Sequence, residues 1–311
     1  MKKKEDFTQF RIKKNVKLAP LATFRIGGTC DYFTVAETPE KFIAIAEWAK
    51  KNGLRLTLFA GGSNVVFPDE KLKGLVLRFL GGKMSFEGNE CVVDGGVLLG
   101  DVIRKSVNRG LRGLETLSGI PGTIGGAVVG NAGAYGHAVA EAVHDVEIWD
   151  GAKRRWIPRD QCQFAYRESV FKKKPFLVLR VKLKFKKGNA AELKKISRSI
   201  ITIREKKYKP GIKCPGSFFK NVLVKDVAPR SLAAIDRTKI IEGKIPAGYL
   251  LESIGSKGMR VGGIAIANFH GNLFVNRGRA KASDVKKLAD ILRKKVRAKF
   301  GITLEEEVRY V

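Results

Sequence analysis

The chain has 311 residues, 44% of them apolar, four cysteines and a formal net charge of +30 at pH 7. That length and apolar share exclude a disordered chain and predict two or three domains with real cores. Cys30, Cys91, Cys162 and Cys214 stand far apart in sequence, which excludes a paired-cysteine metal or redox motif and fits reduced thiols.

No apolar run approaches the ~18 residues of a membrane span. Residues 1–15 are basic but have no apolar run of the kind a secretion signal carries. A cytoplasmic protein with no membrane partner is expected. The charge could serve a polyanion. Its lysines, however, are spread over 172–174, 182–187, 206–209 and 293–295, with no RNA-binding aromatic motif or zinc-finger spacing beside them. The expectation is a solvated lysine-rich surface and no specific nucleic-acid partner.

In chain order, the first predicted element is a helix. Thr38 can cap it, Pro39 suits its first turn and Glu40 its positive end. Phe42, Ile45, Ala46 and Ala49 repeat at helical spacing, and Gly53 ends it. Residues 54–59 alternate as a strand that runs into Ala60-Gly61-Gly62-Ser63-Asn64. A turn at Lys73-Gly74 leads to a strand over 75–79. A short strand is predicted at 91–94, a helix at 101–109, the densest glycine segment at 117–136, and a strand at 146–149. Over 176–185, Leu177, Leu179, Val181, Leu183 and Phe185 alternate with Arg180, Lys182 and Lys184, the pattern of a half-buried strand. A helix over 191–207 carries Leu193, Ile196, Ile200 and Ile203 on one side. A short helix follows Pro246. Ser283 is predicted to cap a last helix whose buried stripe is Val285, Leu288, Ala289, Leu292, Val296 and Phe300, stopped by Gly301.

The chain has no phosphate-loop lysine motif, no GxGxxG after a strand and no GxSxG elbow. His137, His144 and His270 have no metal-ligand spacing, so no metal is expected. Two glycine clusters remain. Gly61-Gly62-Ser63-Asn64 follows a strand, where exposed backbone N–H groups can cradle a phosphate. Ser118-Gly119-Ile120-Pro121-Gly122-Thr123-Ile124-Gly125-Gly126, followed by Asn131-Ala132-Gly133-Ala134-Tyr135-Gly136, offers many amides and two hydroxyls. Either alone could be a tight turn. Together they point to a dinucleotide site.

These clusters, with Thr23-Phe24-Arg25-Ile26-Gly27-Gly28 before them, resemble the FAD-binding region of UDP-N-acetylenolpyruvoylglucosamine reductases. The likeness continues through Tyr166-Arg167-Glu168-Ser169, Pro215-Gly216-Ser217-Phe218-Phe219-Lys220-Asn221, Pro246-Ala247-Gly248-Tyr249-Leu250-Leu251-Glu252, Lys257-Gly258 and the closing residues 304–309. It spans nearly the whole chain in the same order. The resemblance implies an α+β chain with a p-cresol methylhydroxylase-type FAD-binding fold, in two subdomains at 1–78 and 79–204. A C-terminal α+β substrate-binding domain would follow at 205–311.

The activity implied is reduction of UDP-N-acetylglucosamine enolpyruvate to UDP-N-acetylmuramate for peptidoglycan. NADPH would be co-substrate and FAD bound noncovalently, since no histidine or cysteine stands at a recognisable linkage position. Hydride would go to C3 and a proton to C2. The resemblance assigns Arg167 to the anionic intermediate, Ser217 to proton donation and Glu307 to the catalytic glutamate. Flavin contacts would come from Gly61, Gly62, Ser63, Asn64, Ser118, Pro121, Gly122, Thr123, Gly125, Gly126, Asn131, Ala132 and Gly133. Substrate contacts would come from Tyr166, Lys207, Asn221 and His270, with Lys206 an equal candidate to Lys207 for the phosphates. The partners implied are the UDP-sugar and NADPH, met by a monomer. Val222 and Glu306 replace prolines frequent in the family. The short stretch between Arg167 and Ser217 lacks the tyrosine-bearing lid loop of one branch. A related flavin oxidase and a non-enzymatic nucleic-acid binder stand as rivals, separable by flavin absorbance.

Overall fold

The computed structural model describes residues 9–311. The first eight residues of the basic N-terminal segment lie outside the described residues. The chain divides into two compact units, Met1–Val16, Cys30–Gly61 and Lys73–Lys206 forming one and Lys17–Thr29, Gly62–Leu72 and Lys207–Val311 the other.

The first unit holds two sheets. One has four strands in the order Lys13–Lys17, Thr29–Ala36, Leu72–Phe79, Leu56–Phe59, the last two parallel, with Phe59 opposite Arg78. A parallel pair needs a crossover of a dozen or more residues or an intervening segment, and here the glycine loop sits in that connection. The helix Pro39–Lys51 is capped by Thr38, whose side chain accepts from the Lys41 N–H at 3.2 Å. It buries the apolar stripe read from the sequence. Phe42, Ile45, Ala46 and Ala49 join Leu75, Leu77, Phe79, Trp149 and Leu179 in one core, so both sheets share it.

The second sheet is antiparallel, in the order Arg154–Pro158, Val143–Trp149, Leu177–Lys184, Glu90–Asp94, Met84–Glu87. The helices Leu99–Asn108 and Ile124–Gly130 pack on its apolar face through Val102, Ile103, Ile124 and Val128. Three expectations need correction. Lys73 and Gly74 do not turn but lie inside the strand Leu72–Phe79. Leu193 and Ile200 of the helix Ala190–Lys207 are buried, whereas Ile203 is 48% exposed, because only part of its apolar side meets the sheet. Ser283 does not cap the last helix. That helix is Ala282–Phe300, and its first N–H groups are met by a distant side chain: Asp69 accepts from Ala282 N and, at 3.0 Å, from Ser283 N.

In the second unit, the strands Ile264–Ala267 and His270–Asn276 pair antiparallel beneath the helices Ala247–Glu252 and Ala282–Phe300. Phe218, Phe219, Phe274, Leu288, Leu292 and Val296 form its centre. The C-terminal strand Arg309–Tyr310 pairs parallel with Val65–Val66. The α+β class expected from the resemblance is the class observed.

Candidate active site

In the first unit the two glycine clusters meet. A Cβ placed on Gly61 would stand 2.6 Å from the Gly122 Cα, so only bare backbone permits the approach. Gly61 and Gly122 line a cavity of about 480 Å³ together with Gly81, Gly82, Gly96 and Arg78. Arg104 and Lys105 add positive charge to its wall. Arg78 ends the strand beside the loop, and its guanidinium donates to the carbonyls of Ala60 at 3.0 Å and Gly61 at 3.5 Å. Burial lowers its affinity for the proton. A half-buried cation beside glycine backbone suits a phosphate. The sequence reading missed Arg78; its only signal was a basic residue at the end of a strand next to a glycine turn.

The second cluster is more structural than its composition suggested. The Thr123 hydroxyl accepts from Gly126 N at 3.2 Å and caps the short helix Ile124–Gly130. The Ser118 hydroxyl donates to the Glu115 carbonyl at 2.7 Å and contacts Ser197 Oγ at 2.7 Å. Gly125 N donates to Gly95 O at 2.9 Å, closing the helix onto the sheet. Asn131 is the left-handed cap of that helix, and its amide donates to the Ala165 carbonyl at 2.8 Å. Pro121 is exposed and Ala132 half-buried. Gly133 gives its carbonyl to Arg167 Nη2 at 2.8 Å.

Arg167 sits in a tight reversal in which Ala165 and Glu168 exchange both backbone hydrogen bonds at 3.0 Å. Its φ of +56° is uncommon for a residue with a side chain and is the kind of backbone found where a side chain must be aimed. The guanidinium lies over the Tyr166 ring, 5.4 Å from its centroid.

In the second unit, the backbone segments that carry Ser217 and Glu307 lie side by side. Ser217 pairs in an isolated antiparallel bridge with Leu273, Phe219 does so with Glu306, and Glu307 N donates to the Phe218 carbonyl at 2.8 Å. The three consecutive glutamates are thereby distinguished. Glu305 pairs with Lys220, Glu306 pairs with Arg293, and Glu307 is held on the segment that carries Ser217. The Ser217 hydroxyl lies 3.1 Å from the Tyr208 phenol oxygen. Asn272, another residue missed, fixes Phe219 from both sides: its Oδ1 accepts from Phe219 N and its Nδ2 donates to Phe219 O, each at 2.8 Å.

Asn64 Nδ2 donates to the Glu307 carbonyl at 2.9 Å. Its Oδ1 is buried without a hydrogen-bond partner among the described residues, an acceptor left for a ligand donor. Gly62 is buried at φ +71°, and a Cβ there would meet the Leu21 carbonyl at 2.3 Å. Its own carbonyl accepts from Thr23 N at 3.0 Å. The Thr23 hydroxyl donates to the Cys214 carbonyl at 2.9 Å and approaches the Ser63 carbonyl at 3.3 Å. In the first unit, the glycine-lined cationic cavity fits the phosphates of a flavin nucleotide.

Asn221 accepts from Ala247 N at 3.1 Å, at the start of a short helix. Burial first, and the Lys207 ammonium second, push His270 down to about 4. Its ring is therefore neutral at pH 7, with Nδ1 accepting from Asn272 N at 3.1 Å. Lys207 is half-buried with its ammonium 5.1 Å from the Tyr208 ring centroid, whereas Lys206 is exposed. Among the described residues no cluster of His, Cys, Asp and Glu could hold a metal ion, and no helix is long and apolar enough to cross a membrane.

Comparison with known proteins gives concordant results. Residues 207–311 match the family described as UDP-N-acetylenolpyruvoylglucosamine reductase, C-terminal domain, and residues 30–153 match FAD binding domain. A UDP-N-acetylenolpyruvoylglucosamine reductase of Solibacter usitatus is 40% identical over 301 residues, covering 96% of each chain. One from Bacillus subtilis is 30% identical, covering 97% of this chain and 94% of its own. The crystal structure of the enzyme of that name from Thermus caldophilus superposes with a TM-score of 0.76 at 30% identity, covering 97% of this chain and 99% of that one.

Proposed function

The chain belongs to the UDP-N-acetylenolpyruvoylglucosamine reductase family, oxidoreductases with an FAD-binding domain, and from that premise we propose that it reduces UDP-N-acetylglucosamine enolpyruvate to UDP-N-acetylmuramate with NADPH as reductant. The observation that supports this most is that the backbone carrying Glu307 lies against the segment carrying Ser217, with the Glu307 N–H donating to the Phe218 carbonyl at 2.8 Å.

FAD, bound noncovalently, would supply the redox chemistry by which hydride from NADPH reaches C3 of the enolpyruvyl ether. The protein's own part is to manage charge and a proton. Addition at C3 leaves negative charge delocalised from C2 into the carboxylate, which calls for a fixed cation and a placed acid. Arg167 serves as that cation, since its guanidinium stays charged and its planar fork matches a carboxylate. Ser217 serves as the acid, giving its hydroxyl proton to C2. A serine is a weak acid, so it works only when oriented beforehand. Glu307, on the backbone beside the Ser217 segment, is the catalytic glutamate of this reading. The loops at Gly61–Asn64 and Ser118–Gly133 hold the flavin, and Arg78 joins them as a phosphate contact. Residues 1–78 and 79–204 carry the flavin subdomains, and 205–311 the substrate contacts Lys207, Asn221 and neutral His270, with Tyr166 beside Arg167.

The test is direct. The purified protein is expected to release FAD on acid precipitation, and to oxidise NADPH steadily only when the enolpyruvyl sugar is added. FMN in place of FAD, or NADPH oxidation indifferent to the sugar, would overturn the reading.

A further inference from the structure

We propose that Tyr208 is a positioning residue for proton delivery by Ser217, a proposal that rests on the reading of Ser217 as the C2 proton donor. The two hydroxyl oxygens are 3.1 Å apart. Ser217 has one hydroxyl proton. When that proton points at substrate carbon, the hydrogen bond to Tyr208 persists only with the phenol as donor. Tyr208 therefore selects the one rotamer of the serine proton that reaction needs.

The phenol is itself held in place. Its ring packs with Ile212 against a small apolar cluster of Cys214, Ala267, Leu273 and Val275. Leu273 is the residue that bridges Ser217, so the ring and the serine are referenced to the same strand. On the other side, the Lys207 ammonium stands 5.1 Å from the ring centroid.

The proton balance follows. As the Ser217 O–H bond breaks, its proton joins C2 and its electron pair stays on Oγ. The phenol, donating across the 3.1 Å contact, stabilises that oxyanion by its hydrogen bond. Ser217 Oγ then regains a proton from water.

The experiment follows the two half-reactions of Y208F, S217A and the double variant by stopped flow at the flavin band, with thermal melting in parallel. In Y208F, flavin reduction by NADPH and the melting temperature are expected to match wild type. Reoxidation by the enolpyruvyl sugar is expected to slow about 10- to 100-fold, the range for losing a hydrogen bond to a charged group, with a larger solvent deuterium isotope effect. Adding Y208F to S217A is expected to slow reoxidation no further. Wild-type reoxidation in Y208F while S217A is slow would overturn the role of Tyr208 alone. Wild-type reoxidation in S217A would overturn the Ser217 reading and this proposal with it. Equal slowing of both halves, a fall in melting temperature that accounts for the slowing, or the full Y208F factor on top of S217A would make Tyr208 a packing residue and overturn the proposal.

Discussion

At Gly61 a methyl group has nowhere to go. The 2.6 Å approach to Gly122 is backbone against backbone, with no flexible side chain to yield. Gly61→Ala is expected to push the two loops apart, costing about 1–3 kcal/mol of stability and most of the bound flavin. The flavin-to-protein absorbance ratio after gel filtration measures it, and an unchanged ratio would separate these glycines from the cofactor. His270 offers a second prediction. Its folded value of about 4 lies below the ordinary 6.5, so the fold favours the neutral ring. The stability this contributes is full above about pH 6.5 and is lost as pH falls through about 4. Urea midpoints of wild type and His270→Asn should therefore converge or cross as pH drops through that window. A constant difference would deny the linkage. Both residues were visible in the sequence, Gly61 by its cluster and His270 through the family resemblance. Arg78, Tyr208 and Asn272 were not, because their importance lies in long-range register: a strand end beside a loop, a phenol brought to a serine, an amide spanning Phe219.

The last helix shows how an element can be legible while its cap is not. The stripe from Val285 to Phe300 repeats at helical spacing and is buried as read, and Gly301 closes it at φ +66°. Ser283 was the obvious local cap, yet the Ser283 hydroxyl donates to Asp69 at 2.9 Å and the carboxylate does the capping. A partner more than two hundred residues away leaves no mark in a local window. Burial opposes ionisation of Asp69, but the N–H groups of Ser283 and Ala282 outweigh it and hold the carboxyl below its usual value. A depressed carboxylate stabilises at neutral pH and loses that contribution as acid protonates it. Asp69→Ala is expected to cost about 1–2 kcal/mol at pH 7, with the gap from wild type narrowing below about pH 4. Equal melting curves at pH 7 would mean the cap contributes nothing.

Across the whole molecule, 60 basic residues face 30 acidic ones. Many acids are already paired: Arg180 alone reaches Glu40, Asp94 and Glu147. The remaining excess would raise encounter rates with the anionic ligands proposed above, and it should bind nucleic acid only through phosphates. Such binding is expected to be indifferent to sequence and to weaken steeply with salt, as fluorescence titration of several DNA and RNA strands at rising ionic strength would record. Tight, sequence-selective binding at physiological salt would contradict it. Single helices and strands were readable because periodicity is local, while the fold class and domain order came from the family resemblance. The assembly of the second unit was not, since it gathers Lys17–Thr29, Gly62–Leu72 and Lys207–Val311.

That gathering sets a timetable for folding. The strand Val65–Val66 emerges early in synthesis, but its parallel partner is Arg309–Tyr310. Loop closure over such a separation is slow, and parallel pairing has no local hairpin to nucleate it. The nascent chain can complete its first unit once Lys206 has left the ribosome. The second must wait for the final strand, with Val66, Phe218 and Phe219 of its core still uncovered. The surroundings of Ser217 and Glu307 thus take shape last, and the interval before closure is when this protein is most exposed to aggregation and to chaperones.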